Sequence, residues 1–299
     1  SAGQDTTTGN SDVMIGFEAG RYTTAGDQVF IGDRAGQYNT SGVANVCIGR
    51  NAGRAASGSE LTGDYNTYVG PYAGLAAQSG DMNVAVGHYA GRSITSGSGN
   101  VLIGPEAGND VTTGSVNTCI GNDSGRPITT GTNNVCLGQD AGRATQPGGE
   151  ITTESNRICV GTVNSTHAHI KIDWTVTSDG RDKADVTSFT PGLSWINKLR
   201  PVTYRWDERA NYSDDLSVVP DGTHKKEQLN IGLIAQEELE VEKEHGYGDT
   251  PENTLITDID LDGTYGIQYS KLVPVLINAV KELSAENTAL KARLDAAGI

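Results

Sequence analysis

The sequence predicts a mostly β repeat shaft followed by an α+β domain that ends in one long coiled-coil helix. Three observations predict it. Residues 1–177 hold 30 of the 39 glycines and all four cysteines, while residues 178–299 hold nine glycines and no cysteine. A glycine-punctuated motif recurs through the first part at a near-constant interval. Residues 271–297 carry an apolar heptad pattern instead. A chain of 299 residues has room for two such units, each with its own core.

The repeat comes first. NVCIGRNAG, NVAVGHYAG, NVLIGPEAG, NTCIGNDSG and NVCLGQDAG are one unit rewritten. Its first glycine falls at Gly16, Gly32, Gly49, Gly70, Gly87, Gly104, Gly121, Gly138 and, more loosely, Gly161, with four consecutive spacings of 17 residues from Gly70 to Gly138. Fixed-period self-similarity marks stacked units that are each too small to bury an apolar face alone. The apolar run before each glycine, such as Val101-Leu102-Ile103, is short and β-branched, which favours a strand. A helix would carry a glycine every few residues, at a cost of about 1 kcal/mol each.

Alternation along a strand sends neighbouring side chains to opposite faces. The residues three and one before the first glycine are nearly always Val, Ile, Thr or Leu, and are expected to point into the coil. The residue between them runs Met14, Phe30, Cys47, Tyr68, Ala85, Leu102, Cys119, Cys136, Cys159. It is expected to face outward, as an apolar stripe covered by sister chains. The cysteines at this position, with no CxxC pair, are expected to be small apolar fillers of that interface in a protein assembled in a reducing cytoplasm. A trimeric β-roll and an interwound β-helix both satisfy the pattern. Similar glycine–asparagine rungs occur in trimeric adhesin heads and phage tail fibres.

From Asp173 the text becomes ordinary mixed α/β, which divides the chain into a shaft of residues 1–172 and a domain of residues 173–299. FTPGLSWINKLRPVTYRWD predicts a helix around Leu193–Leu199 and a strand over Val202–Trp206. LNIGLIAQEELEV predicts a strand running into a helix, and LITDIDLDGTYGIQYSKLV a hairpin about an Asp-Gly turn. The final helix places Val273, Val280, Asn287 and Leu294 in one row and Leu276, Leu283 and Leu290 in the other, a coiled-coil seam with one polar residue that can fix register.

Four landmarks then stand in order: SDGRDK, LRPVTYRW, IGLIAQE and YSKLVPVLINAVKEL. Together they resemble the C-terminal intramolecular chaperone, or auto-processing, domain of phage tail fibres, tail spikes, neck appendages and endosialidases. The resemblance implies a homotrimer whose C-terminal domain guides folding of the β-rich fibre and then cuts itself off between Thr177 and Ser178. It implies a serine-peptidase dyad, with Ser178 as nucleophile and Lys183 as base. Asp179 and Arg181 would shape the loop or steady the oxyanion, and Gln236 and Glu237 would complete the site. The chemistry is sound, because a serine hydroxyl needs a base and a lysine serves when burial or nearby cations favour its neutral form. The implied place is a virion tail, assembled in the host cytoplasm, with a bacterial surface glycan or other host receptor as partner. The rival reading is a structural trimeric adhesin whose C-terminal domain is a permanent, uncut foot. Membrane-tethered transcription factors share the processing domain, but the chain has no basic DNA-binding segment.

Other features narrow the field. A net charge of −15 argues against nucleic acid and anionic membranes as partners. No apolar run approaches the roughly 18–20 residues that span a bilayer. The opening SAGQDTTTGN reads as the interior of a longer protein. Nothing calls for a cofactor or metal. Asp258, Asp260 and Asp262 imitate a calcium loop, but Tyr269 stands where the bidentate glutamate belongs. His167 and His169 share one face of an expected strand without a third ligand, and Lys225-Lys226 is an isolated charge pair.

Overall fold

The computed structural model describes the chain apart from residues 6–9, 56–58, 145, 147, 163, 166, 172–174, 214–216, 260–262 and 299. The chain divides into two compact units, Ser1–His167 and Ala168–Ser213 with Ser217–Ile299. The boundary expected between residues 172 and 173 lies outside the described residues.

The first unit is a β-solenoid wound from a single chain. Its strands are β1 (Val13–Ile15), β2 (Val29–Ile31), β3 (Val46–Ile48), β4 (Thr67–Val69), β5 (Val84–Val86), β6 (Val101–Ile103), β7 (Thr118–Ile120), β8 (Val135–Leu137) and β9 (Ile158–Val160). They form one parallel sheet in sequence order. Equivalent repeat positions pair without slippage, as in Val84 with Val101 and Val101 with Thr118.

The period-2 reading holds, but its phase is reversed. Phe30, Cys47, Tyr68, Ala85, Leu102, Cys119 and Cys136 are fully buried inside the coil, and Cys159 nearly so. The flanking residues face outward, with Ile15 at 58% exposure, Ile103 at 38% and Ile158 at 76%. A 17-residue turn encloses a narrow interior that takes three side chains per rung. One is the strand centre, another the small residue before the second glycine (Ala73, Ala90, Ala107), and the third an apolar residue further on (Ala77, Ile94, Val111). The second glycine fits this arrangement because it lies directly over the strand centre: a Cβ at Gly74 would stand 2.5 Å from a Tyr68 ring carbon. The four cysteines are therefore free thiols of the solenoid interior and not interface residues. Burial drives the Cys47 thiol well above its ordinary range, which keeps it an uncharged filler.

A polar ladder runs beside the strands. Asn45, Asn66, Asn83, Asn100, Asn117 and Asn134 are buried one above another. Asn83 Oδ1 accepts the backbone N–H of Asn100 at 3.0 Å, while Asn83 Nδ2 donates to the Gly97 carbonyl at 2.8 Å. Each buried amide is satisfied by the next rung, so the ladder stabilises stacking without leaving orphan groups.

The first repeat glycine has the strictest geometry. Gly87 sits at φ +142°, and a Cβ there would stand 2.4 Å from the Gly104 carbonyl oxygen. Gly87→Ala should lower solenoid stability by about 1–3 kcal/mol from backbone strain alone, with the clash adding to it. Gly99→Asn is the control, because Gly99 also has positive φ (+69°) but its nearest neighbour, a Val116 methyl, is 3.9 Å away. Thermal unfolding of the two variants should separate clearly; equal melting would refute the tight-approach account.

The second unit contains α1 (Leu193–Ile196), β10 (Val202–Tyr204), β11 (Asn230–Gly232), α2 (Ala235–Glu244), β12 (Thr257–Ile259), β13 (Tyr265–Ile267) and α3 (Leu272–Ala297). β10 pairs with β11 and β12 with β13, both antiparallel. The core gathers Trp195, Val241, Ile256 and Val275, ringed by Phe189, Leu199, Tyr247 and Leu272. α1 is one turn long and lies against α3, where Leu193 N–H donates to Glu282 Oε2 at 2.7 Å and Asn278 Nδ2 to the Phe189 carbonyl at 2.8 Å. The described residues around His167 and His169 form no strand, and both histidines are exposed. Of the calcium-loop mimic, Asp258 lies in β12, while Asp260 and Asp262 fall outside the described residues.

Candidate active site

The segment SDGRDK folds into one self-closed turn. The Asp179 carboxylate accepts the backbone N–H of Arg181 at 2.9 Å, which caps a 3-10 turn over Gly180–Asp182. Lys183 leaves that turn in extended conformation, with its N–H donating to the Gly180 carbonyl at 3.4 Å. The reversal brings two side chains five residues apart into contact: Lys183 Nζ donates to Ser178 Oγ at 2.6 Å. Asp179 and Arg181 grip each other, with Nη2 to Oδ2 at 2.5 Å, and this contact holds the Asp179 carboxyl below its ordinary range. Arg181 is 89% exposed, so the ion pair shapes the loop but adds little stability.

Thr177, Ser178 and Lys183 are all exposed in the single chain. Gln236 and Glu237 stand elsewhere, at the exposed start of α2. There Glu237 accepts Arg200 Nε at 3.1 Å, and the Arg200 guanidinium lowers its pKa. Among the described residues no hydrogen bond or ion pair joins Gln236 or Glu237 to Ser178 or Lys183. Sequence reasoning thus brought together the pair within SDGRDK, but not the two residues from IGLIAQE.

It also missed a buried carboxyl pair on α2. Glu242 is fully buried and accepts three backbone N–H groups, from Leu255 at 2.5 Å, Ile256 at 3.0 Å and Thr257 at 2.6 Å. One turn earlier, Glu238 Oε1 accepts Trp195 Nε1 at 2.9 Å. Burial pushes the Glu238 carboxyl up to about 7, and the Glu242 charge adds to the rise. The sequence signal was faint: Leu239 and Val241 do not share a helical stripe, so the inward face of α2 had to include glutamates.

α3 has two unlike sides. Val275 and Ala279 are buried against the rest of the unit. The heptad rows are open, with Val273, Leu276, Val280, Leu283, Leu290 and Leu294 between 39% and 65% exposed. Asn287 stands among them, its Nδ2 donating to the Leu283 carbonyl at 3.0 Å.

Comparison with known families falls on this unit, and its first matched residue is Ser178. Residues 178–247 match the family described as Chaperone of endosialidase. The match carries the family name Peptidase_S74 and covers under a quarter of the chain. It takes in the Ser178–Lys183 turn, α1, β10, β11 and α2, and stops before the hairpin and α3. Residues 178–247 therefore carry an intramolecular-chaperone domain of a family associated with trimeric assembly and, in general terms, with self-cleaving peptidase activity. No curated protein and no solved structure matches the chain. Among the described residues of the chaperone domain and the solenoid, no group of three or more His, Cys, Asp or Glu side chains could hold a metal ion.

Proposed function

We propose that the chain is part of a phage tail fibre or related appendage. In this reading the solenoid is the attachment shaft, and the chaperone domain assembles three copies and then severs itself. The observation that carries the reading is the 2.6 Å approach of Lys183 Nζ to Ser178 Oγ, at the residue where the family match begins. In the reacting form the contact runs in reverse, with the uncharged amine accepting the hydroxyl proton. Oγ adds to the Thr177 carbonyl carbon, the C–N bond breaks, and the lysine returns the proton to the departing Ser178 nitrogen. Water then hydrolyses the Thr177 ester, leaving a carboxylate on Thr177 and a free N-terminal serine. Each chain is its own substrate and turns over once.

Assembly precedes the cut for a physical reason. A lysine works as a base where water is excluded or cations crowd it, yet Ser178 and Lys183 are exposed in one chain. The open heptad rows supply a surface on which sister helices can pack. The outward Val and Ile columns of the solenoid supply a second. Near-identical rungs invite register slips, since moving one rung costs little. A domain that joins three chains at high effective concentration levels their ends first, and its removal leaves the shaft kinetically trapped. Assembly in the host cytoplasm and residence in the virion tail follow from this reading.

The exposure of the pair equally favours a rival, a trimeric adhesin with a permanent foot. Electrophoresis decides between them. Wild-type protein should run as two fragments that part at Thr177–Ser178, and Ser178→Ala as one band. An intact wild-type band at neutral pH would overturn the peptidase reading and leave the permanent foot.

A further inference from the structure

Between its two glycines each rung makes an outward turn whose second residue is Glu18, Arg34, Asn51, Tyr72, Tyr89, Glu106, Asp123 or Asp140, all at positive φ near +55°. Towards the ends of the solenoid this column is ionic. Glu18 pairs with Arg21 at 2.5 Å, Asp123 with Arg126 at 3.0 Å and Asp140 with Arg143 at 2.5 Å. In the middle rungs the carboxylates are replaced by Asn51, Tyr72 and Tyr89. Among the described residues, no carboxylate lies within 4 Å of Arg50, Arg54 or Arg92.

These arginines are held in place by other contacts. The Arg50 guanidinium sits 4.7 Å over the Tyr72 ring, Tyr72 and Tyr89 stack at 4.9 Å, and Arg92 lies 5.1 Å over Tyr89. Arg54 donates to Asn51 Oδ1 at 3.3 Å, and its Nε is shielded from solvent without a hydrogen-bond partner among the described residues. Beside the stack runs an open groove of about 430 Å³, lined in part by Arg54, Leu75, Ala76, Arg92, Asn109 and Asp110. Arg54 and Arg92 are two rungs apart, roughly 10 Å along the axis at the usual strand spacing, with the apolar Leu75 and Ala76 between them.

We propose that this groove binds a carboxylate-bearing oligosaccharide lying along the solenoid axis. The two guanidiniums meet acid groups in bidentate fashion. A C–H face of the sugar covers Leu75 and Ala76, while hydroxyls donate to Asp110 and hydrogen-bond Asn109. One ligand class supplies all three kinds of contact. A nucleic acid fits less well, because the described lining of the groove holds no aromatic ring on which a base could stack. The inference deepens the attachment reading and rests on it for where the sugar is met; it is independent of the cleavage.

The test uses the full chain with Ser178→Ala and isothermal titration with two acidic probes, oligogalacturonate and hyaluronan fragments, against maltooligosaccharides of equal length. At least one acidic probe should bind, more tightly than the neutral series and more weakly as salt rises. Arg54→Gln with Arg92→Gln should lower that affinity about tenfold or more, the scale of a lost charge-assisted contact. Arg126→Gln, whose arginine is ion-paired outside the groove, should leave it unchanged. Failure of both acidic probes, equal binding of the neutral series, indifference to the double substitution, or tighter binding of single-stranded DNA would each overturn the proposal. Adhesion to bacterial cells that ignores the double substitution would sink the groove and spare attachment. Arginine-dependent sugar binding by a protein that adheres to no cell would do the reverse.

Discussion

Lys183→Ala protein should fold, associate through its heptad rows and remain in one piece under conditions where the wild type is fully cut. The turn does not need the amine, because Asp179 caps it and the Lys183 backbone N–H closes it. Assembly does not need it either, since the open rows of α3 lie at positions 273–294. What the substitution removes is the proposed proton acceptor for Ser178 Oγ, and the loss of a positioned base typically slows a reaction about 10²–10⁴-fold. Lys183→Arg sharpens the test. Its guanidinium keeps the charge and a hydrogen-bond donor but cannot give up its proton in a protein, so it should be as inert as alanine. Time courses on gels, with sedimentation to confirm the oligomer, give both readouts. Processing of the arginine variant at the wild-type rate would mean that another group is the base.

The second large effect lies in the buried carboxyl pair. Burial raises the Glu238 carboxyl from its ordinary 4.5 to about 7 in the fold. Because its folded pKa is raised, the stability it confers is fully present below about 4.5 and is lost as pH rises through 7. The shift corresponds to roughly 3 kcal/mol at about 1.4 kcal/mol per unit. Glu238→Gln keeps an oxygen for Trp195 Nε1 and cannot ionise. It should therefore abolish most of this slope and leave the variant more stable than its parent at pH 8. Glu242→Leu should behave differently, since it strands three buried N–H groups at about 1–3 kcal/mol each and destabilises the unit at every pH. Guanidinium unfolding of uncut protein at pH 5 and pH 8 separates the cases. A parent whose stability is flat between those values would refute the assigned ionisation.

These residues also mark where sequence reading stops. The strands were legible from glycine spacing and β-branched triplets, because period and punctuation are local properties. Their phase was not. Both faces of each strand are apolar, and only the closeness of Gly74 to Tyr68, a contact across the turn, tells inside from outside. The asparagine ladder stood in plain view in six consecutive repeats, yet its purpose depends on a carbonyl 14 residues away on the next rung. Ser178 and Lys183 were readable because five residues of turn suffice to join them. Gln236 and Glu237 were carried over from a resemblance, and the fold gives Glu237 to Arg200 instead. Glu238, Glu242 and the unpaired arginines of the middle rungs could be recognised only by what surrounds them in three dimensions.

Among the described residues, the hydrogen bonds that shape the SDGRDK turn begin and end within residues 178–183. On the proposed reading, the processing signal is a cassette whose turn, among the described residues, takes no hydrogen bond from the sequence preceding it. On the same reading, lineages can exchange one shaft for another upstream of position 178, and so change what the proposed fibre recognises, without having to reinvent the means of finishing it.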